Sequence, residues 1–192
     1  KTLHDKFVPQ LPRLRKKEVL KWIGYGYPNP EISSFCTDQR VTLVGYGELP
    51  NGMQSEFNFP LPSCLISKAV SKRLTITLAW LSPIAPCNQD YRLAKLSFRT
   101  KSSLIAKDIS DSDERAAKRG TVQHEVFVGK QASTYLSGTN LEIVVSCKKE
   151  ERLTYPVKYV LMATLEVSPE VSLPIYEEIK SSLAQQVEPL KV

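Results

Sequence analysis

In several segments between Arg40 and Val167, apolar and polar residues alternate with a period of two. Successive side chains of a β-strand point to opposite faces of a sheet, so the alternation predicts strands that are buried on one face. Short stretches at 41–44, 57–61, 93–98 and 122–128 show it briefly. Three segments show it over a longer run: Leu74, Ile76, Leu78 and Trp80; Leu141, Ile143, Val145 and Cys147; and Val157, Tyr159, Leu161, Ala163, Leu165 and Val167.

These strands follow one another without helical crossovers between them. Antiparallel sheets packed face to face are therefore favoured over a parallel sheet, whose strands show continuous apolar runs. We expect a mainly β protein, an antiparallel β-sandwich of jelly-roll type. Cys64, Trp80 and Cys147 have the order of an immunoglobulin core, but their spacing is too long for its usual inter-sheet disulfide.

The first 38 residues follow a different pattern. Between residues 13 and 23, apolar side chains recur at a loose helical spacing that ends at Gly24. Pro28 and Pro30 then forbid a continued helix. We therefore predict one short helix and a turn in residues 1–38, and a separate sandwich domain in residues 39–192.

Two further segments stand outside the alternation. Residues 101–119 are polar and charged, which predicts a long loop. Near the end of the chain, Pro174 is followed by the acidic residues Glu177 and Glu178. Proline is tolerated in the first turn of a helix and acidic side chains are favourable there, so this segment predicts a short closing helix packed outside the sandwich.

Composition excludes several classes of partner. The chain has 26 basic and 20 acidic residues, and the two signs are interspersed. The densest basic run, at 13–21, lacks the interleaved aromatic residues of a single-strand binder, so we expect no nucleic-acid binding. No apolar run reaches the roughly 18 residues that a membrane helix needs. The four cysteines form no C-x-x-C pair, which excludes the common zinc and thioredoxin-like spacings. We favour reduced thiols over disulfides, because a domain of this size does not need crosslinks.

Residues for catalysis are sparse. A Ser-His-Asp or Cys-His device has to use His4 or His124, because the chain has only 2 histidines. His124 alternates in phase with Val122, Val126 and Val128, and we interpret it as a hydrogen-bonded core histidine. The chain has no G-x-S-x-G nucleophile elbow and no glycine-rich phosphate loop before a helix.

The acidic residues do not form a recognisable site either. Glu125 and Glu142 fall on strand positions predicted to face solvent, which disfavours a paired acid and base. Asn88, Asp90 and the acidic stretch 108–114 lack the regular ligand spacing of a calcium loop. The sequence therefore predicts no catalytic, cofactor-binding or metal-binding residue within this chain, and no cofactor.

Two sets of residues resemble the region that follows the catalytic serine in a branch of bacterial subtilisin-like (S8) serine peptidases. Gly24-Tyr-Gly-Tyr-Pro-Asn, followed by Ser33 and Ser34, is similar to the Gly-x-Gly segment that closes the α/β catalytic domain. The domain appended in that branch is similar to this chain at Arg40-Val-Thr-Leu, Arg73-Leu-Thr-Ile-Thr-Leu-Ala-Trp, 88–98, Gly120-Thr-Val-Gln-His-Glu-Val-Phe, and Thr164-Leu-Glu-Val through Tyr176-Glu-Glu-Ile.

The resemblance implies that residues 1–38 are the helical end of an α/β peptidase domain and that residues 39–192 are its accessory β-sandwich. It also implies that the aspartate, histidine and serine of the triad lie before Lys1, since the Gly-Thr-Ser-x-Ala motif is absent here. The full-length parent would hydrolyse peptide bonds in the bacterial cytoplasm. The implied partners are its own N-terminal catalytic domain and a protein or peptide substrate.

An accessory domain of this kind can cover an apolar flank of the catalytic domain, or its loops can extend the substrate cleft. We favour the first role. Trp22, Tyr25 and Tyr27 are the candidate interdomain contacts, because they would otherwise leave apolar surface uncovered.

Two alternatives stay open. The first is a free-standing module that binds carbohydrate or peptide through exposed aromatic residues such as Tyr46, Tyr91 or Tyr135. The second is an assembly protein that pairs through the edges of its sheets.

Overall fold

The computed structural model describes residues 36–65, 71–87, 91–100, 120–136, 138–168 and 173–186. The chain divides into two units at Phe35, and all described residues belong to the second unit, Cys36–Val192. The helix predicted at 13–23 and the loop predicted at 101–119 lie outside the described residues. The domain boundary placed between residues 38 and 39 stays a prediction.

Seven strands occur in the described part of the chain, the number that the alternation predicts. They are β1 (Arg40–Leu49), β2 (Gln54–Pro60), β3 (Lys72–Trp80), β4 (Leu96–Thr100), β5 (Val122–Val128), β6 (Asn140–Cys147) and β7 (Val157–Val167). Two helices, α1 (Lys130–Tyr135) and α2 (Ile175–Gln186), and a 3-10 turn at Ser63–Leu65 accompany them. Neither described helix is long and apolar enough to cross a membrane.

The strands form two antiparallel sheets. The four-stranded sheet has the order β1-β7-β3-β5, and the three-stranded sheet has the order β2-β6-β4. Each strand therefore lies in the opposite sheet from the strand before it, so the chain passes back and forth between two layers, as in a jelly roll. The predicted mainly β fold, an antiparallel sandwich, is confirmed. The predicted helical remnant before it falls on residues outside the described part.

The inward phase of the alternation builds the core. Along β3, the residues at even positions are buried and those at odd positions are exposed or half-buried. Removing one such aliphatic side chain from water stabilises the fold by about 1.5–3 kcal/mol. Both sheets contribute fully buried side chains, among them Leu74, Ile76, Leu78 and Leu161 from one sheet and Leu96, Ile143 and Val145 from the other.

Strand β1 extends beyond the predicted segment 41–44. The prediction ended at residue 44 because two glycines interrupt the apolar phase of the strand after it. A Cβ placed on Gly45 would lie 2.3 Å from Cε1 of Phe57, so the phenyl ring occupies the space that a side chain would need. A Cβ on Gly47 would meet the Tyr159 hydroxyl oxygen at 3.4 Å. Aromatic rings from other strands therefore complete the core where β1 has no side chains.

The closing helix predicted at Pro174 is confirmed. Helix α2 begins at Ile175, directly after the proline, and buries Ile175 and Ile179. One turn into the helix, Oε2 of Glu178 accepts hydrogen bonds from the hydroxyl of Ser63 at 3.1 Å and from the backbone N–H of Cys64 at 3.2 Å. The carboxylate thereby ties α2 to the 3-10 turn.

A buried glutamine joins the edges of the two sheets. Gln123 on β5 is 1% exposed, and its Oε1 accepts a hydrogen bond from the backbone N–H of Phe98 on β4 at 3.1 Å. Its Nε2 donates to Oε1 of Glu125 at 3.0 Å. Because β4 is the last strand in its sheet order, this side chain satisfies an edge N–H that would otherwise be open to another strand.

Candidate interaction surface

The outer face of the three-stranded sheet is polar. Strand register places Glu56, Val144 and Arg99 in one row across it. The only apolar member of that row, Val144, is buried. The adjacent row is polar throughout, with Gln54, Ser146 and Ser97. This composition is typical of a sheet face in contact with water.

The outer face of the four-stranded sheet has the opposite character. One row across its strands consists of Tyr46, Val160, Ala79 and Val122. The exposed fraction is 81% for Tyr46, and Val122 and Val160 are also exposed. In the next row, Val44 is exposed as well. Apolar side chains therefore reach solvent on three of the four strands in these two rows.

A shallow groove of about 860 Å³ crosses this end of the sheet. Leu81, just after β3, is 72% exposed and lines it together with Tyr46, Val122 and Val160. We call these residues and Val44 the apolar outer surface. Contiguous apolar surface of this kind marks contact sites for other macromolecules more often than isolated exposed residues do.

Charged groups bound the apolar outer surface at both ends. At the groove end, Nζ of Lys158 lies 3.6 Å from Oε1 of Glu48. At the far end, Glu166 lies between Arg40 and Arg73, at 3.4 Å and 3.6 Å. The Lys158 and Glu48 side chains are more than half exposed, so their attraction adds little to stability and leaves both groups available to a partner.

His124 lies on this outer face, so its interpretation as a core histidine is wrong. Val122, Val126 and Val128 do share its face, but that face is exposed. The phase of β5 is set by its pairing with β3, which turns Gln123 inward instead. The prediction that His124 is hydrogen-bonded is confirmed, since Nδ1 lies 2.8 Å from the Thr77 hydroxyl oxygen.

The environment of His124 favours the neutral imidazole. Partial burial lowers the pKa of His124, and the nearby Arg73 guanidinium lowers that pKa further. Thr77 is the hydroxyl next to the ring, and it is an ordinary strand residue opposite His124 in the register. The pair resembles a structural contact between paired strands rather than an activated nucleophile, because Thr77 faces the ring simply as its cross-strand neighbour.

The other titratable candidates are dispersed. Glu125 contacts Gln123 on β5, whereas Glu142 lies in the other sheet, on β6. Burial raises the pKa of the Cys147 thiol, and a backbone hydrogen bond from Gly52 opposes the shift only in part. In the part of the chain that the structure describes, no three His, Cys, Asp or Glu side chains converge as metal ligands. Asn88, Asp90 and the stretch 108–114 lie outside it.

The predictions made for aromatic residues, as interdomain contacts or as part of a binding module, differ in how they compare with the structure. Trp22, Tyr25 and Tyr27, the predicted interdomain contacts, lie outside the described residues. Among the residues named for a binding module, Tyr46 lines the groove, and Tyr91 is exposed elsewhere with the Arg92 guanidinium 5.8 Å from its ring centroid. The prediction that Tyr135 is exposed is wrong.

Tyr135 is buried because it belongs to α1, a helix that the alternation did not predict. The ring lies 4.5 Å from that of Phe127, centroid to centroid, and only 6% of the residue is exposed. The helix follows Gly129, whose φ of 62° is accessible to glycine at little cost and turns the chain out of β5.

The sequence contained a pattern from which the apolar outer surface could have been predicted. On β7, Val160 and Met162 occupy the phase that also holds Lys158, Thr164 and Glu166. Apolar residues in the outward phase of an alternating strand predict exposed apolar surface. Leu81 shows the same pattern, because it continues the outward phase of β3 directly after the end of the strand.

Comparisons with known proteins give little further identification. No protein-family model matches the chain. An uncharacterized protein of Sinorhizobium fredii (strain NBRC 101917 / NGR234), y4bN, is 29% identical over 90 residues, which make up 47% of this chain and 21% of that protein. The match thus spans about a fifth of the length of that relative.

Among solved structures, a chain from maize chlorotic mottle virus, studied by single-particle analysis, is 8% identical. The similarity covers 68% of this chain and 94% of the viral chain, with a TM-score of 0.29.

Proposed function

We propose that the sandwich is a non-catalytic C-terminal accessory domain of a subtilisin-like serine endopeptidase, and that the apolar outer surface contacts the catalytic domain. The observation that carries the proposal is the difference between the two outer faces. One face is polar, as expected for solvent contact, whereas the other exposes Tyr46 and Leu81 beside an apolar groove. Covering such side chains removes apolar area from water and stabilises both partners.

Two further observations support an accessory role. The sequence segments that resemble the appended domain of the S8 branch include parts of β1, β3, β5 and β7, the four strands of the sheet on which the apolar outer surface lies. The Sinorhizobium fredii protein y4bN extends well beyond the part that matches this chain, since the match covers 21% of its length. On this proposal the triad lies before Lys1, and the full-length protein hydrolyses peptide bonds in the bacterial cytoplasm.

The test uses the full-length protein that contains this segment. Leu81→Asp places a charge in the groove, and Val128→Asp places the same charge on an exposed residue at the other end of the same face. We expect both variants of the 192-residue chain to unfold at the temperature of the wild type. In the full-length protein, only Leu81→Asp should lower the melting temperature and the peptidase activity of the catalytic domain.

Two results would overturn the proposal. One is a natural gene that encodes no Asp, His and Gly-Thr-Ser before Lys1. The other is a full-length protein that responds equally to Leu81→Asp and Val128→Asp. The same variants distinguish a domain that covers the catalytic domain from one that only extends the substrate cleft. In the second case, Leu81→Asp would raise KM for long substrates and leave the melting temperature of the full-length protein unchanged.

The second candidate is a peptide-binding module, favoured by the exposed Tyr46 on the groove. An aromatic ring beside an ion pair suits an extended peptide better than a sugar, because the groove lining is mainly apolar and offers few hydrogen-bonding side chains. Tyr46→Ala should then abolish peptide binding by the 192-residue chain in solution, as measured by titration calorimetry against a peptide library pool.

A further inference from the structure

Strand β1 is the terminal strand of the four-stranded sheet, and half of its backbone groups do not bond to β7. The backbone N–H of Val167 donates to the carbonyl oxygen of Gln39 at 3.0 Å, and Arg40 exchanges hydrogen bonds with Thr37 at 2.8 Å and 3.0 Å on the other side. In an antiparallel ladder, successive residues direct their backbone groups to opposite sides. Even-numbered residues of β1 therefore direct N–H and C=O away from β7.

The open part of this edge has defined limits. The turn with Thr37 occupies the backbone of Arg40, and Pro50 after the strand has no N–H to donate. Between these limits, four residues present their backbone groups outward: Thr42, Val44, Tyr46 and Glu48. In the described part of the chain, β1 is the terminal strand of its sheet, with no strand on that side.

We propose that this edge pairs with β1 of a second copy of the chain, antiparallel and around a two-fold axis at Gly45. This register uses the whole open segment. Thr42 then lies opposite the partner's Glu48, and Val44 lies opposite the partner's Tyr46. All four are outward-directed residues, so each opposed pair exchanges both of its backbone hydrogen bonds. The product is a continuous sheet with an isologous interface.

Side chains on both faces of β1 suit this register. On the outer face, the symmetry makes two pairs of a valine with a tyrosine, a combination that stabilises antiparallel sheets. No residue of the open segment faces a like charge. On the inner face, Gly45 lies on the axis, where the two backbones approach most closely, and the half-buried Leu43 lies opposite the partner's Gly47. A side chain on one strand thus faces a glycine on the other.

The side-chain pairs favour a second copy of the chain over an unrelated extended peptide. Backbone pairing alone accepts any sequence, whereas the matched pairs Val44 with Tyr46 and Leu43 with Gly47 arise only when β1 meets itself in this register. The inference does not depend on the proposed accessory role, because it uses the backbone edge of the sheet. It shares Val44 and Tyr46 with the apolar outer surface but leaves the groove residue Leu81 uncovered.

The test is the self-association of the 192-residue chain, measured by sedimentation velocity from micromolar to millimolar concentration. We expect a concentration-dependent dimer. Val44→Pro removes an outward N–H without removing a hydrogen bond to β7, and it should leave the chain monomeric. Tyr46→Lys changes a side chain that is 81% exposed, so folding is preserved, and it should raise the dimer dissociation constant about tenfold through the two lost pairs.

Two controls make the outcome specific. Val126→Pro makes the same change at β5, the opposite edge of the same sheet, and should leave dimerisation unchanged. Leu81→Asp alters the groove and should also leave the dimer intact. A wild-type chain that stays monomeric at millimolar concentration would overturn the proposal. A dimer that survives Val44→Pro and Tyr46→Lys, with far-UV circular dichroism showing native strands, would do so as well.

Discussion

Individual residues in β1 set how closely the two layers approach. The strand passes over Phe57 of the three-stranded sheet at Gly45, where a Cβ would lie at 2.3 Å from the ring. Real Cβ atoms do not approach a carbon this closely, and the ring is held by stacking with Phe59 at 5.9 Å and by an edge contact with Tyr159 at 6.0 Å. Space, rather than an unusual φ, therefore requires glycine here.

Gly45→Ala should destabilise the fold by about 1–3 kcal/mol, because the added methyl group has to displace a packed ring. Gly47→Ala is the matched control on the same strand and face, where the new Cβ would meet the Tyr159 hydroxyl at an ordinary 3.4 Å. We expect that variant to be neutral, or stabilised by up to about 1 kcal/mol through the unfolded chain. Urea denaturation measures both. Equal effects of the two substitutions would contradict the steric explanation.

Residue types alone could predict which strands exist, but they predicted the buried face for some strands and not for others. The alternation placed Leu74, Ile76 and Leu78 inward correctly, since the small Ala79 is the only apolar residue in the other phase of β3. On β5 the valines occupy one phase and the buried Gln123 the other, so hydrophobicity pointed to the wrong face. The register with β3 decided the outcome, and a sequence without a known pairing partner does not carry that information.

At the scale of elements, α2 is joined to the sandwich by its buried residues Ile175 and Ile179 and by the carboxylate of Glu178. Desolvation by itself raises the pKa of Glu178, but the hydrogen bonds from the Cys64 N–H and the Ser63 hydroxyl outweigh it and lower that pKa below the ordinary 4.5. The negative form is therefore the one that the folded structure stabilises. Helix propensity and the position of Pro174 could predict the helix, but this contact spans more than a hundred residues of sequence and could not be predicted.

Glu178→Gln should lower the free energy of unfolding by about 1 kcal/mol at neutral pH, the value of a charge-assisted contact discounted for its partial exposure. Glu177→Gln removes the same charge from the same turn without touching the 3-10 turn, so it controls for the helix dipole.

The effect of Glu178→Gln also depends on pH in a defined direction. A depressed folded pKa stabilises the protein above the ordinary value of 4.5, and this contribution is lost as the pH falls through the folded pKa. Thermal melts of the wild type and Glu178→Gln should therefore differ at pH 7 and converge in acid. A difference that stays constant into acid would show that the carboxylate charge is not involved.

At the scale of the whole molecule, the four cysteines lie at different depths of the sandwich. Cys36 and Cys87 are exposed, Cys64 is half-buried, and Cys147 lies in the core between the sheets. Attack on a thiol reagent needs the thiolate, and burial both shields Cys147 and raises its pKa, with the Glu150 carboxylate adding to the rise. Its reactivity therefore reports whether the two layers have separated.

We expect Cys36 and Cys87 to react with a chromogenic disulfide reagent at once in the native state, and Cys147 to react only at the rate of global unfolding. The slow phase should accelerate with urea along the unfolding limb measured by fluorescence, because all strands of the core open together. Cys87→Ser should remove one fast thiol and leave the slow phase unchanged, which assigns the phases. Reaction of Cys147 as fast as that of Cys36 in the native chain would mean that the two sheets separate without unfolding, and that the core between them is not the cooperative unit described here.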